Sequence, residues 1–587
     1  MAKSKRENRK RTVRNKRKAG YRARCGDGVL QSWTVGPLPI VNRLLQRMRL
    51  EDILREHLPP DDSRTKVPTV HCLLLLVRNV LLSREPIYGL EEWAERYAPD
   101  LLGLTQRQLG QLNDDRIGRC LDRLFDGTTP QLLMDVVRQM VREFDLKLDE
   151  LHNDSTTISF FGQYEEAAEE GECRGQPTAA ITHGHSKARR PDLKQLLYIL
   201  TVTDDGGVPV YFTTASGNVT DDTTHQETWD LLTQLTGRKD FLYVADCKLA
   251  TSKNLQYIVN RGGRFVSLLP RTRKEDTEFR QRLVDTPDKV PWKHVKDVLN
   301  RKGEIIDRVR VCGETLETKE GYRLYWYHSC RKQERDATSR QKSIERVLKE
   351  LRDLEQRLKL PRTRFRERAK VQEAVSEILK TTRSDAWLQV SIEAVEEEHY
   401  KQAKPGRPSK NTKYIREVRE RFRLSIVVDQ LQVAVDQASD GVFPLISSEQ
   451  DMSAEDVLAA YKRQPIIEKR FSQFKTDFNV APVNLQEISR IHALLCIYFL
   501  ALCVQTLLER ELRRAMVAAE LESLPLYPEE RECRAPTARR VLDVFEAIQR
   551  HELQRVGEPL ESYVTELRPL HRQLLKLLGV AIRSYGK

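Results

Sequence analysis

Residues Phe241 to Asp246 read Phe-Leu-Tyr-Val-Ala-Asp, a wholly apolar run that stops on a carboxylate. A short continuous apolar run reads as a strand buried on both faces. An acid at its end stands at the carboxyl edge of a sheet, where open α/β sheets bind their ligands. A second acid, Asp154, lies upstream in an extended run, Leu-His-Asn-Asp-Ser-Thr-Thr-Ile-Ser-Phe-Phe from Leu151. A third, Glu468, lies far downstream in a basic helical stretch, Tyr461 to Lys475.

The segments around these acids alternate in a definite order. Leu148 to Phe160 reads as a strand, and Leu196–Thr203 and Val208–Thr214 as two more joined by the turn Asp204-Asp205-Gly206-Gly207. Asp222–Leu235 and Ser252–Val259 read as helices on either side of the Phe241 strand, and Arg264–Leu269 as a last strand. Three strands, then helix, strand, helix, strand is the order of a ribonuclease-H-like fold. In that fold the first three strands are antiparallel and the later ones join in parallel. The expected class is therefore α/β: a ribonuclease-H-like mixed sheet with flanking helices, interrupted by a large α+β insertion and preceded by an all-α domain.

Six segments follow from the composition along the 587 residues. Residues 1–29 form a basic tail, with ten cations between Lys3 and Lys18 and too few apolar residues to bury a core, so disorder is expected. Residues 30–145 read as a helical DNA-binding domain, with Asn113-Asp114-Asp115 capping the helix that carries Ile117 to Leu124. Residues 146–270 are the first part of the catalytic core, and 271–450 are an inserted domain of strands and a helical hairpin. In the insertion, Ile305–Cys312 and Tyr322–His328 resemble a strand pair, and Ile344, Val347, Leu351, Leu354 and Leu358 form a heptad-like series. Trp387–Val395 and Arg423–Val435 return to strand-like alternation. The core resumes over 451–508, and 509–587 read as a basic helical region. Ile491–Leu507 is apolar enough to resemble a membrane span but contains His492 and Gln505, and reads as a helix buried in a soluble core.

The net charge of +13 favours a polyanionic partner. The ten cysteines form no Cys-x-x-Cys pair, which argues against a zinc site or a disulfide scaffold and for a reducing compartment. His183 and His185, with His152 elsewhere, lack ligand spacing and read as surface histidines.

Carboxylates on two strands and one helix suit two hard divalent ions, held ~3.5–4 Å apart for in-line phosphoryl displacement. Tyr461, Gln464, Glu468 and Lys475 fall on one helical face if the helix is continuous, with Lys469 and Arg470 close by. Pro465 either kinks that helix or begins a new one, in which case Tyr461 and Gln464 precede the helix of Glu468. Lys404-Pro-Gly-Arg-Pro-Ser-Lys410 resembles a minor-groove hook in which Arg407 enters an A·T-rich groove; its plainer reading is a basic loop.

Taken together, these motifs resemble bacterial insertion-sequence transposases of the DDE class, in the branch with a Tyr-Arg-Glu-Lys signature and a β-rich insertion before the glutamate. The matching residues are Asp154 in Asn-Asp-Ser-Thr-Thr-Ile-Ser-Phe, Asp246 in Val-Ala-Asp-Cys-Lys-Leu, and Tyr461, Glu468 and Lys475. The stretches Gly184 to Gln195, which includes Lys187 and Arg190, and Gly217 to Asp221 support it. One position departs: the signature arginine is Gln464, with Arg463 beside it.

The resemblance implies cut-and-paste transposition on double-stranded DNA in the bacterial cytoplasm, at the nucleoid, by a homodimer in the synaptic complex, with no membrane involved. It implies that Asp154, Asp246 and Glu468 bind two Mg2+ (or Mn2+) ions. The residues expected to contact DNA are Tyr461, Arg463, Gln464, Lys475, Lys469, Arg470, Lys187, Arg190 and Arg407. An aromatic residue of the insertion can hold a flipped base in such enzymes. Trp292 and Trp326 are the candidates, and a core position is the plainer reading of each. The rival readings are a metal-dependent endonuclease without strand transfer and a non-catalytic DNA-binding protein derived from a transposase. The latter is marked by a lost carboxylate, and all three are present.

Overall fold

Hydrophobic strands flanked by turn residues build the sheet that organises the first half of the chain. The computed structural model describes residues 22–586 apart from 26–27, 129, 168, 188–189, 301, 361–362, 383, 385, 481–482 and 484. The basic stretch 1–21, expected to be disordered, lies outside the described residues. The chain divides into two compact units, Met1–Ser267 with Ala459–Lys587, and Leu268–Leu458.

The first unit begins with a hairpin, β1 (Arg22–Cys25) and β2 (Gly28–Thr34), where the sequence suggested a disordered tail up to residue 29. Helices follow, among them Leu38–Arg47, Thr69–Leu82, Asp114–Gly127 and Pro130–Phe144. The Asn113 side chain accepts from the Arg116 N–H (2.8 Å) and caps the third of these, as read.

Then comes β3 (Glu150–Phe160), a small hairpin of β4 (Gly171–Cys173) and β5 (Gln176–Thr178), β6 (Lys194–Thr203), β7 (Pro209–Ser216), β8 (Leu242–Ala245) and β9 (Arg264–Leu268). In this unit the strand order is β9-β8-β3-β6-β7. β3, β6 and β7 pair antiparallel, whereas β8 joins β3 and β9 joins β8 in parallel. The turn between β6 and β7 uses Gly206 and Gly207 at φ of 81° and 62°, which side-chain-bearing residues rarely adopt. The helices His225–Thr236 and Ser252–Val259 lie at the expected places between strands.

The second unit carries the strand order β10 (Trp292–Leu299), β11 (Ile305–Cys312), β13 (Arg323–Ser329) and β16 (Val442–Ser447), with β12 (Leu316–Glu317) paired to β13. The heptad-like series lies on one long helix, Cys330–Leu358, and packs with the helix Arg368–Thr382 against the base of a two-stranded ribbon. That ribbon is β14 (Leu388–Gln402) with β15 (Tyr414–Val428), paired in unbroken register from Leu388↔Val428 to Gln402↔Tyr414. The expected strand Arg423–Val435 ends early: the Asp429 side chain accepts from the Gln432 N–H (3.0 Å) and caps a helix, Gln430–Gln437. Trp326 is a core residue stacked on Phe279 at 4.0 Å, and Trp292 is half-buried beside His328. Trp326 therefore has no free face for a flipped base.

Back in the first unit, the helix Ile488–Ala518 is apolar enough to cross a bilayer, yet most of it is buried against the helices Thr69–Leu82 and Asp114–Gly127. The C-terminal stretch, expected to be helical throughout, also contains β17 (Gln549–Gln554) and β18 (Glu561–Val564). These complete a second sheet in the order β1-β2-β17-β18.

Candidate active site

The register of two parallel strands brings the first two acids together. Asn153 of β3 pairs with Ala245, the last residue of β8, and the next residue in the chain after each is the acid. Asp154 and Asp246 therefore stand side by side at the carboxyl edge of the sheet, on the same face. Both carboxyls are raised from their ordinary range, mainly by burial. For Asp154 the charges of Asp246 and Asp221 add to this and Lys187 opposes it, with the result at about 6. For Asp246, burial is aided by Asp221 and opposed by the Lys248 backbone N–H and by Lys187.

Lys187 is the cation that answers this charge. Its Nζ lies 2.8 Å from Asp221 Oδ2 and 3.7 Å from Asp154 Oδ1. It also donates to the Ser155 carbonyl (2.8 Å) and to Ser155 Oγ (2.7 Å), which in turn donates to Asp221 Oδ1 (2.7 Å). Asp221 was not singled out from the sequence. Its only signal was its place at the end of the Gly217–Asp221 stretch. That stretch crosses the Gly184 stretch so closely that a Cβ on Gly184 would come within 1.9 Å of the Gly217 carbonyl oxygen. Gln195 Nε2 fastens the crossing by donating to the carbonyls of Gly217 (2.9 Å) and His185 (3.2 Å). Two glycines thus bring Lys187 and Asp221 to Asp154.

Glu468 arrives on a separate helix. Pro465 begins the helix Pro465–Ser472 at its first position, where its missing N–H costs nothing, and the preceding helix ends at Arg463. Tyr461, Gln464, Glu468 and Lys475 are therefore shared among two helices and a following π-helical turn, Gln473–Asp477, and do not form one continuous helical face. Glu468 sits exposed in the first turn, where the helix dipole favours an acid. Tyr461 connects the three acids electrostatically. Its phenol is pushed well up by burial first and then by the charges of Asp246, Glu468 and Asp154. Lys475 is held below the ordinary lysine range by burial and by Lys187, against the pull of Asp154.

A buried polar network fixes this segment to β3. The Gln464 Nε2 donates to the Asn153 carbonyl (3.0 Å), and its Oε1 is 2.9 Å from His152 Nδ1. His152 Nε2 is 2.8 Å from Glu150 Oε1, and Arg463 grips the same carboxylate through both oxygens, Nε to Oε1 at 2.6 Å. Burial would raise Glu150, yet His152 and Arg463 together hold it down at about 2.

These contacts correct several expectations. Gln464 is buried with both ends of its amide bonded to β3, so it positions the helix junction instead of reaching a phosphate, and Arg463 is bound to Glu150 with 40% of its side chain exposed. Arg470 is fully buried. It donates to the Gly207 carbonyl (2.9 Å) and to Glu509 (2.9 Å), and it too is structural. Lys469 lies 3.6 Å from Glu509 with part of its side chain exposed. Arg190 is exposed and paired with Asp192 at 2.7 Å. Arg407 is exposed at the tip of the β14–β15 ribbon in the other unit. His152 is wholly buried and not a surface residue, while His183 and His185 are exposed.

Among the described residues no three acidic, histidine or cysteine side chains are already gathered as metal ligands. The donors nevertheless fit a hard cation in kind. Asp154 and Asp246 offer only carboxylate oxygens, carry insufficiently neutralised charge, and draw on an ammonium group for compensation.

Comparison with known proteins follows the same outline. The family model described as Transposase DDE domain matches residues 148–504. One described as a domain of unknown function (DUF4277) matches residues 30–138. No curated protein matches the chain. A similar solved structure is the piggyBac transposase synaptic complex with hairpin DNA, at 7% identity and a TM-score of 0.33, covering 92% of this chain and 84% of that one.

Proposed function

Since the chain belongs to the DDE transposase family, we propose that it cuts DNA at the ends of an insertion sequence and joins those ends to target DNA, cut-and-paste. The observation that carries this reading is the Asn153↔Ala245 register, which stands Asp154 beside Asp246, together with the Gln464 clamp that holds the Glu468 helix to the same strand. The strand order β7-β6-β3-β8-β9, three antiparallel and two parallel, supports a ribonuclease-H-like core.

In this reading Asp154, Asp246 and Glu468 would hold two Mg2+ or Mn2+ ions. When bound, such ions stabilise charge on the attacking and leaving oxygens of an in-line displacement. Asp154 and Asp246 are rigidly placed by two strands, and Glu468 by a helix start. The phenol of Tyr461 stays protonated and donates a hydrogen bond to a phosphate oxygen beside the scissile bond. Lys475 and Lys187 supply positive charge there, and Asp221 with Ser155 aims the Lys187 amine. Water attacks the phosphodiester at the element end and releases a 3′-hydroxyl. That hydroxyl then attacks a target phosphodiester and expels the target's own 3′-oxygen, so one bond forms for each that breaks. Pairing two ends requires two copies of the chain on DNA.

The test is cleavage and joining of a labelled duplex carrying the ends of the element that flanks the gene, with magnesium, with EDTA and with Glu468→Gln. Metal-dependent nicking and joining that vanish in the variant are expected. Nicking without joining would indicate a plain nuclease, and binding without cleavage under any metal a DNA-binding relic.

A further inference from the structure

The β14–β15 ribbon carries its charge in two opposed zones. Its shaft, residues 388–400 with 417–428, holds six glutamates and three arginines; its distal part, residues 401–416, holds six cations and no acid. The base is fixed, since Leu388, Ile392, Phe422 and Leu424 belong to the core formed with the helices Cys330–Leu358 and Arg368–Thr382. Beyond Phe422 and its partner Ala394, no ribbon residue is buried, although the ladder continues for eight further pairs. At a strand rise of ~3.3 Å the free ribbon reaches about 25 Å.

Some of the shaft charges are paired, Arg421 with Glu397 (2.8 Å) and Arg419 with Glu417 (2.8 Å), while Arg416 of the distal part reaches back to Glu398, and the shaft keeps an acidic excess. At the tip, Lys404, Arg407, Lys410 and Lys413 are exposed and make no ion pair among the described residues. Pro405 and Pro408 flank Gly406 and Arg407 and have no N–H to continue the ladder. Gly406 adopts φ of 158°. The tip is thus a narrow, open basic loop with one arginine at its centre.

We propose that the β14–β15 ribbon is a DNA-engaging arm whose tip seats Arg407 in an A·T-rich minor groove, with Lys404, Lys410 and Lys413 on the flanking phosphates. The inference rests on the transposase reading and adds a contact to DNA outside the carboxylate centre. Narrow A·T-rich grooves concentrate negative potential and attract an inserted arginine. The acidic shaft repels the same duplex, so contact stops at the tip. Two strands in full register with partly paired charges form a stalk that keeps the loop away from its own core.

The experiment uses the full chain in three forms: wild type, Arg407→Ala, and Lys404→Ala with Lys410→Ala and Lys413→Ala. Each is titrated by fluorescence anisotropy against A·T-rich and G·C-rich duplexes across a salt series. Arg407→Ala is expected to remove a preference for A·T-rich duplex of about tenfold. The triple substitution is expected to weaken both duplexes alike and flatten the log–log salt slope by about 3. Unchanged affinity and slope in both variants, with wild type binding normally, would overturn the arm and leave the transposase reading standing. Equal loss on both duplexes in Arg407→Ala would overturn the groove assignment. A change in oligomeric state with unchanged DNA binding would assign the ribbon to a second copy of the chain and overturn it too. Failure of the wild type to bind any duplex would remove both this inference and the transposase reading.

Discussion

Four residues apart on strand β3, a buried acid and a half-buried one face opposite electrostatic environments. Glu150 is embraced by Arg463 and His152 and is held down at about 2. Asp154 stands against Asp246 and Asp221, opposed by Lys187, and is raised to about 6. One half of the strand is satisfied and holds the Glu468 helix in place. The other half is left short of positive charge, at a cost in stability. Unfavourable charge tolerated inside a fold marks the place where function draws on it.

That contrast can be broken from either side. The largest effect is expected from Asp154→Asn: strand cleavage should fall by at least about 10³-fold, while the metal-free protein melts at a higher temperature than wild type. A melting temperature that drops instead would show that Asp154 is a stabilising acid and remove the contrast. Next comes Arg463→Met, which strands the Glu150 carboxylate and should cost about 2–3 kcal/mol in urea unfolding. Duplex affinity should hardly change, because both oxygens of Glu150 already hold the guanidinium. A large loss of affinity with unchanged stability would restore Arg463 to the phosphates.

A change of pH should separate the two halves without mutation. The Asp154 pKa is raised, so its contribution to stability is full at low pH and is lost as pH rises through about 6. The Glu150 pKa is lowered from 4.5, so its contribution is present above that value and is lost as pH falls toward about 2. Metal-free unfolding curves taken between pH 2 and pH 8 should therefore slope oppositely at the two ends. Asp154→Asn should flatten only the upper slope and Glu150→Gln only the lower. The smallest expected effect is on the metal: its apparent affinity should weaken about tenfold between pH 7 and pH 5 as Asp154 takes up its proton. Calorimetric titration with Mn2+ at the two values would measure it.

The sheet was legible because each strand signalled itself locally. The apolar run Phe241–Ala245, the glycine turn after Thr203 and the alternation from Leu148 all lie within short windows, and the observed strands match them to within a few residues. The acids at the carboxyl edge could be read from the same windows. The clamp could not. Arg463 and Gln464 meet Glu150 and His152 across more than 300 positions, and nothing local distinguishes a phosphate-binding arginine from one that grips a buried carboxylate. Asp221 was hidden for a related reason, since its role depends on a backbone crossing between two glycines that only the fold creates. Gln549–Gln554 reads Gln-Arg-His-Glu-Leu-Gln, with one aliphatic residue and no β-branched one. It is a strand because β2 is there to pair with it.

That pairing has a consequence for how the protein is made. Thr34 of β2 faces Gln549 of β17, so the partner emerges more than 500 residues later. At a synthesis rate of ~5–20 residues per second, β2 waits roughly 25–100 s with one edge open. Throughout that interval the hairpin β1–β2 is a template for any passing strand, including the β2 of a neighbouring nascent chain. The carboxylate strands and the Glu468 helix all leave the ribosome within the same interval. Closure of this small sheet is therefore a late event in the synthesis of each molecule.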